Sequence, residues 1–117
     1  MKLIKNIHVT ALVFMAIASQ STFAHSPLIS SVPSNQATIS EAPASVELSF
    51  KSEVKLILLR LSGDSIDLKL KAKAADPSKM FSLELPALPS GSYVAAWHAL
   101  GRDGHLMKGK IHFAISP

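Results

Sequence analysis

The stretch "SYVAAWHALGRDGHLMKGKIHFAI", residues 92–115, decides the fold. Two runs of mixed apolar and polar residues flank Gly101-Arg102-Asp103-Gly104. Asp103-Gly104 is a tight-turn dipeptide, because glycine accepts the positive φ such turns demand, so the runs read as two antiparallel strands. With a side-chain period of two, a core-facing Trp97 turns His98 outward, and His112 alternates in the same way with Ile111 and Phe113. His98 and His112 are therefore expected as exposed strand histidines, while Phe50, Phe81, Tyr93, Trp97 and Phe113 are expected in the core.

Working upstream, the same grammar repeats. "PLISSV" reads as a first strand, and "SNQATISEAPAS" as loop or a short edge strand. "SVELSF" alternates cleanly, with Val46, Leu48 and Phe50 on one face and Glu47 and Ser49 on the other. "VKLILLRL" is more continuously apolar, but it is short for a helix and ends in the hairpin-like Ser62-Gly63-Asp64, so it reads as a strand. "SIDLKLKA" and "MFSLEL" come next, separated by an Asp76-Pro77-Ser78 turn, and "PALPSG" links them to the closing pair. About seven strands at this spacing predict an all-β fold, an immunoglobulin-like Greek-key sandwich or barrel. In "DLKLKAK", Asp67, Lys69, Lys71 and Lys73 share one face and Leu68, Leu70 and Ala72 the other. That pattern is expected of a solvated strand that discourages edge pairing.

The chain begins with a different kind of segment. Lys2 and Lys5 give a positive start, Val9 to Ala18 are apolar, and Thr22-Phe23-Ala24 offers small residues around Phe23, which is the pattern of a secretory signal peptide over residues 1–24. The apolar run is about half of the roughly 20 residues a membrane helix needs. Removing 24 residues from 117 leaves 93, residues 25–117, enough for one domain. With no cysteine anywhere, neither a disulfide nor a cysteine-linked lipid is available, and an exported chain of this kind fits a bacterial periplasm. Beyond the leader, 10 Lys and Arg face 8 Asp and Glu, and one Trp and one Tyr offer few stacking platforms, so nucleic acid is not an expected partner. A monomer is expected.

Conventional nucleophile motifs are missing, since no serine stands in a Gly-x-Ser-x-Gly elbow. What remains, beyond the leader, is histidine: His25, His98, His105 and His112. Asp103 and His105 straddle Gly104, so the turn aims a carboxylate and an imidazole toward one point at the tip of the sandwich. By itself such a pair is more often an aspartate serving its own turn beside a surface histidine. His25 changes the reading, because cleavage after Ala24 would make it the first residue, able to chelate a metal through amine and ring together. Nitrogen and oxygen donors suit Cu(II), whereas no Cys and no cluster of Met offers a Cu(I) site; zinc could use the same atoms in tetrahedral geometry. Amine and imidazole must lose protons to bind, so affinity should fall below about pH 6.

Three segments, "LPSGSYVAAWHALGRDGHLMKGKIHFAI", "AHSPLISSVPS" and "APASVELSF", resemble the periplasmic copper-binding CopC family. The resemblance implies an immunoglobulin-like β-barrel that binds Cu(II) through His25, Asp103 and His105, with Trp97 as a core residue. It also implies a CopD-like membrane transporter as partner and a role in copper homeostasis, resistance or delivery. Leu106 stands where the family usually has proline. Many members carry a carboxylate two residues after the strand phenylalanine, where this chain has Ser52. Glu53 is one position further, and strand parity turns it to the opposite face unless a bulge intervenes, so it stays outside the expected ligands. The Met-rich segment of some members is also missing, which implies a Cu(II)-only protein. Two alternatives remain at this point: a small copper-dependent oxidative enzyme, and a metal-free immunoglobulin-like module.

Overall fold

The computed structural model describes residues 27–71 and 76–117, and among these every regular element is a strand. The seven strands are β1 (Leu28–Val32), β2 (Ala37–Ile39), β3 (Ser45–Gly63), β4 (Asp67–Lys71), β5 (Ser78–Glu84), β6 (Gly91–Leu100) and β7 (Leu106–Ile115). The all-β expectation is met. The leader, His25, Ala72 and Lys73 lie outside the described residues.

The strand boundaries differ from expectation in one place. "SVELSF" and "VKLILLRL" are not two strands but parts of one, the 19-residue β3. Its first half lies between β1 and β5, pairing Leu48 with Ser31 and Phe81, and its second half lies between β4 and β6, pairing Leu59 with Leu70 and Trp97. The polar trio Lys51-Ser52-Glu53, which separated the two runs in the sequence, is exposed on all three side chains and marks the place where the strand changes neighbours. A second irregularity, between Leu56 and Leu58, flips the inward parity from Val54 and Leu56 to Leu59 and Leu61. That is the known use of a bulge: one extra residue bends the strand and re-aims the side chains beyond it. β7 completes the second layer beyond β6, and β2 adds to its free edge as a short parallel strand.

The core sits between the two layers. Trp97 is 1% exposed and meets Phe50 edge-on, with ring centroids 5.2 Å apart at 82°, and Phe50 meets Phe81 in the same way at 5.8 Å. Edge-to-face contact is the arrangement that aromatic quadrupoles favour. Tyr93 stacks on Phe113, and its hydroxyl donates to the Pro89 carbonyl just upstream, as the tyrosine corner of sandwich folds does. Of the five expected core aromatics, four are fully buried and Phe81 is half-buried against the cluster. With no disulfide, these contacts and the ladders carry the fold.

Trp97 fits only because its partner across the ladder is Gly109. A Cβ at Gly109 would lie 2.6 Å from Trp97 Cζ2 and 2.8 Å from Nε1. Gly109→Ala is therefore expected to cost about 1–3 kcal/mol, because a core at close-packed density has no room to move the indole aside. Urea unfolding followed by tryptophan fluorescence checks this: a variant as stable as the parent would refute the packing argument.

Candidate metal centre

The turn between β6 and β7 builds the site. Gly101 N–H donates to the His105 carbonyl at 2.9 Å, and Gly104 N–H donates to the Gly101 carbonyl at 3.0 Å, closing a loop around Arg102 and Asp103. Gly104 adopts φ +85°, which a side chain would strain. At Gly101 a Cβ would stand 2.9 Å from Asp103 Oδ1, so a bare backbone lets the carboxylate fold in over the loop. The loop closes with Leu106, not proline, as the first residue of β7.

Asp103 and His105 meet as expected from their spacing. Asp103 Oδ1 accepts the His105 backbone N–H at 3.1 Å, and Oδ2 lies 2.7 Å from His105 Nδ1. Both side chains are open to solvent, His105 at 82% and Asp103 at 67% exposure. With Nδ1 held by the carboxylate, Nε2 makes no hydrogen bond among the described residues and is the ring's free donor atom. A carboxylate on one imidazole nitrogen fixes ring orientation and tautomer and raises the basicity of the other, which is how metal-binding histidines are commonly supported.

The electrostatics arise from that contact. The Asp103 hydrogen bond, reinforced by its charge, raises the His105 pKa above the ordinary 6.5, against a small opposing effect of desolvation. In return the hydrogen bond from the His105 ring, then that from its backbone N–H, holds the Asp103 pKa below the ordinary 3.8. In the metal-free protein the histidine half of this pair stabilises the fold below the unfolded pKa and is lost as pH rises through the raised folded value. The aspartate half is present above its unfolded pKa and is lost as pH falls through the depressed one. Full exposure keeps both contributions small.

A cleft of about 360 Å³ opens beside the turn, lined by Pro27, Lys51, Ser52, Glu53, Val54, Gly101, Arg102, Asp103 and Met107. The beginning of the described chain is tied to it, because Lys51 N–H donates to the Pro27 carbonyl at 2.8 Å. Glu53 was expected to face away by strand parity, yet it shares this cleft with Asp103. The pairing of β3 is irregular here, between Ser49 and Val54, and all three side chains of the polar trio are exposed, so the cleft is open to both Ser52 and Glu53. Met107, half-buried, reaches the same cleft from β7, while Met80 is 70% exposed on β5, so the two methionines do not form a cluster.

His98 and His112 lie elsewhere, on the outer face of β6 and β7, as their parity predicts; His112 is exposed as expected, whereas His98 is half-buried. His98 pairs across the ladder with Lys108, a poor neighbour for a captured cation. Among the described residues no three His, Asp or Glu side chains stand together as a ready-made metal site. His25, the third expected ligand, lies outside the described residues, two positions before Pro27.

Known proteins share this architecture. A family model described as the CopC domain matches residues 28–116. The copper resistance protein C of Xanthomonas campestris pv. juglandis is 33% identical over 115 residues, covering 89% of this chain and 90% of that protein. The copper transport protein CutJ of Bacillus subtilis is 29% identical over 110 residues, but the chain spans only 20% of its length. Among solved structures, CopC from Methylosinus trichosporium OB3b superposes with a TM-score of 0.70 at 30% identity, covering 80% of this chain and 95% of that one. PcoC, a copper resistance protein from Escherichia coli, gives 0.58 at 26% identity, covering 76% and 98%.

The Asp103–His105 contact can be measured by NMR titration of the metal-free protein. His105 should titrate above pH 6.5, and Asp103→Asn should lower its midpoint. An unchanged midpoint in the variant would show that the carboxylate does not govern the ring.

Proposed function

The chain belongs to the CopC family, and from that membership we propose that it is an exported Cu(II)-binding protein of the periplasm. It holds the ion as cargo and passes it on, in copper resistance, homeostasis or delivery. His25, made N-terminal by cleavage after Ala24, supplies its amine and a ring nitrogen; His105 supplies a second imidazole and Asp103 a carboxylate oxygen. The receiver is a membrane transporter of the CopD kind, and the protein acts as a monomer.

The observation that carries this reading is the exposed Asp103–His105 pair beside a cleft to which Pro27 is tied. Two residues span at most about 7 Å, so His25 is within covalent reach of the cleft rim. The donor set also fits: imidazole, amine and carboxylate suit Cu(II), and the separated Met80 and Met107 do not offer the soft sulfur cluster that Cu(I) prefers. Glu53, sharing the cleft, is a further carboxylate at hand for the same ion.

Carriage, not catalysis, fits the surface. An enzyme that attacks a polymer needs a platform around the metal, but Trp97 and Tyr93 are spent on the core at 1% and 4% exposure. The cleft that flanks the turn is small and bounded by Lys51, Glu53 and Arg102.

Two outcomes test the reading. One equivalent of Cu(II) should give an electron paramagnetic resonance spectrum with nitrogen coupling, and His25→Ala and His105→Ala should each weaken binding at least about a hundredfold, more than typical losses of outer-sphere partners. Binding that is unchanged in both variants would contradict the assignment. Affinity should also fall on acidification, beginning above pH 6.5 because Asp103 raises the His105 pKa and protons compete for the ligand nitrogens. Competition titrations from pH 8 to 5 measure this, and a flat profile would rule out a site built on imidazole and amine.

A further inference from the structure

Strand pairing gathers the basic residues onto one surface. Across the outer face of β4, β3, β6 and β7, one row reads Lys71, Leu58, His98 and Lys108, and the next reads Lys69, Arg60, Ala96 and Lys110. A third row places Lys55 opposite Leu100 and Leu106. Residues directly opposite in antiparallel strands share a face, so these side chains point the same way. All six cations are exposed.

The segregation is pronounced. Of the nine Lys and Arg in the described residues, six lie on this face, and of the eight Asp and Glu only Asp67 does. Asp67 is spent on Arg60 in a two-pronged pair, Nε to Oδ1 at 2.9 Å and Nη2 to Oδ2 at 2.7 Å. The five lysines have no anionic partner within ion-pair distance among the described residues. Glu41, Glu47, Glu53, Asp64, Asp76, Glu84 and Asp103 all stand off the paired rows, against only Lys51, Lys79 and Arg102. Among the described residues a small excess of charge thus conceals an uneven distribution, with most cations on one face and most anions off it.

We propose that this lysine-rich outer sheet face docks the protein on an anionic phospholipid surface. The choice of a lipid surface over an acidic protein rests on the kind of charge and its setting. Lysines are flexible point charges, and the one guanidinium on this face able to grip a carboxylate in a fixed geometry is already engaged by Asp67. The lysine rows enclose only a recess of about 160 Å³ between Ala96, His98, Lys108, Gly109 and Lys110, too small to seat a peptide side-chain array, and the larger hollow of about 530 Å³ at Ser62, Val94 and His112 is lined by Asp64 and by no Lys or Arg. Diffuse charge of one sign, spread over a sheet, matches headgroups that are mobile and interchangeable. At the end of the face nearest the Asp103–His105 turn, Leu106 is 56% exposed, and Ile57, in the β3 bulge, is 40% exposed, offering apolar contact at the lipid boundary. The docking does not depend on copper, and it would hold the β6–β7 turn beside the membrane edge instead of in bulk solvent.

The test uses the exported protein, metal-free, with vesicles of phosphatidylglycerol and phosphatidylcholine at equal parts, or phosphatidylcholine alone. Sedimentation at low salt should show at least about tenfold stronger binding to the anionic vesicles, lost at about 0.5 M salt as the screening length contracts to a few ångströms. Lys108→Glu should weaken it several-fold and Lys69→Glu with Lys108→Glu should abolish it, with thermal unfolding verifying that both fold. Lys79→Glu, the same charge change on β5, should leave it intact. Equal binding to both vesicles, equal loss in Lys79→Glu, or tighter binding to soluble polyglutamate than to anionic vesicles would each overturn the proposal. Copper titration of the same variants separates this result from the metal site.

Discussion

One strand belongs to both layers of this domain, and the rest of the structure depends on it. β3 pairs with β1 and β5 along its first half and with β4 and β6 along its second, and β1, β4 and β5 have no other partner strand. A domain without a disulfide must hold its layers together by packing, and a shared strand makes the layers one hydrogen-bonded unit. It also fixes the site. Where β3 crosses over, its exposed Lys51-Ser52-Glu53 segment forms one wall of the cleft, and the β6–β7 turn forms the other. The backbone bond from Lys51 to Pro27 brings the start of the domain to the same place.

The proposed metal site would thereby draw on three stretches that are far apart in the sequence. The β6–β7 turn is local and nearly self-sufficient: its glycines allow the loop, its aspartate caps it, and the same aspartate holds the histidine ring. The proposed third ligand comes from the opposite end of the chain, and its free amine would exist only once residues 1–24 were removed. Cleavage would then be a step in building the site, and one residue more or less before His25 would displace the amine from its chelate.

Much of this was legible in advance, for a definite reason. In β6 and β7 the alternation is regular, so Trp97, Ile111 and Phe113 could be assigned inward and His98 and His112 outward from period alone. The Asp-Gly turn announced the Asp103–His105 contact. What could not be read was irregular backbone. The polar trio at residues 51–53 looked like a break between strands because a strand that changes sheets exposes all three side chains there, so parity alone did not place Glu53 beside the cleft. The basic face was invisible for a different reason: β3, β4 and β7 contribute only two cations each and β6 none, and only the pairing of β4 and β7 on either side of β3 and β6 adds them into one surface.

The central claim is that copper sits between the first residue of the exported chain and the β6–β7 turn, and paramagnetic broadening of backbone NMR signals tests it most directly. With substoichiometric Cu(II), the amides of Gly101 to Met107 and of Lys51 to Val54 should vanish first, while those at Lys110 and His112 persist. Broadening centred on His98 and His112, or spread evenly over the domain, would contradict the account.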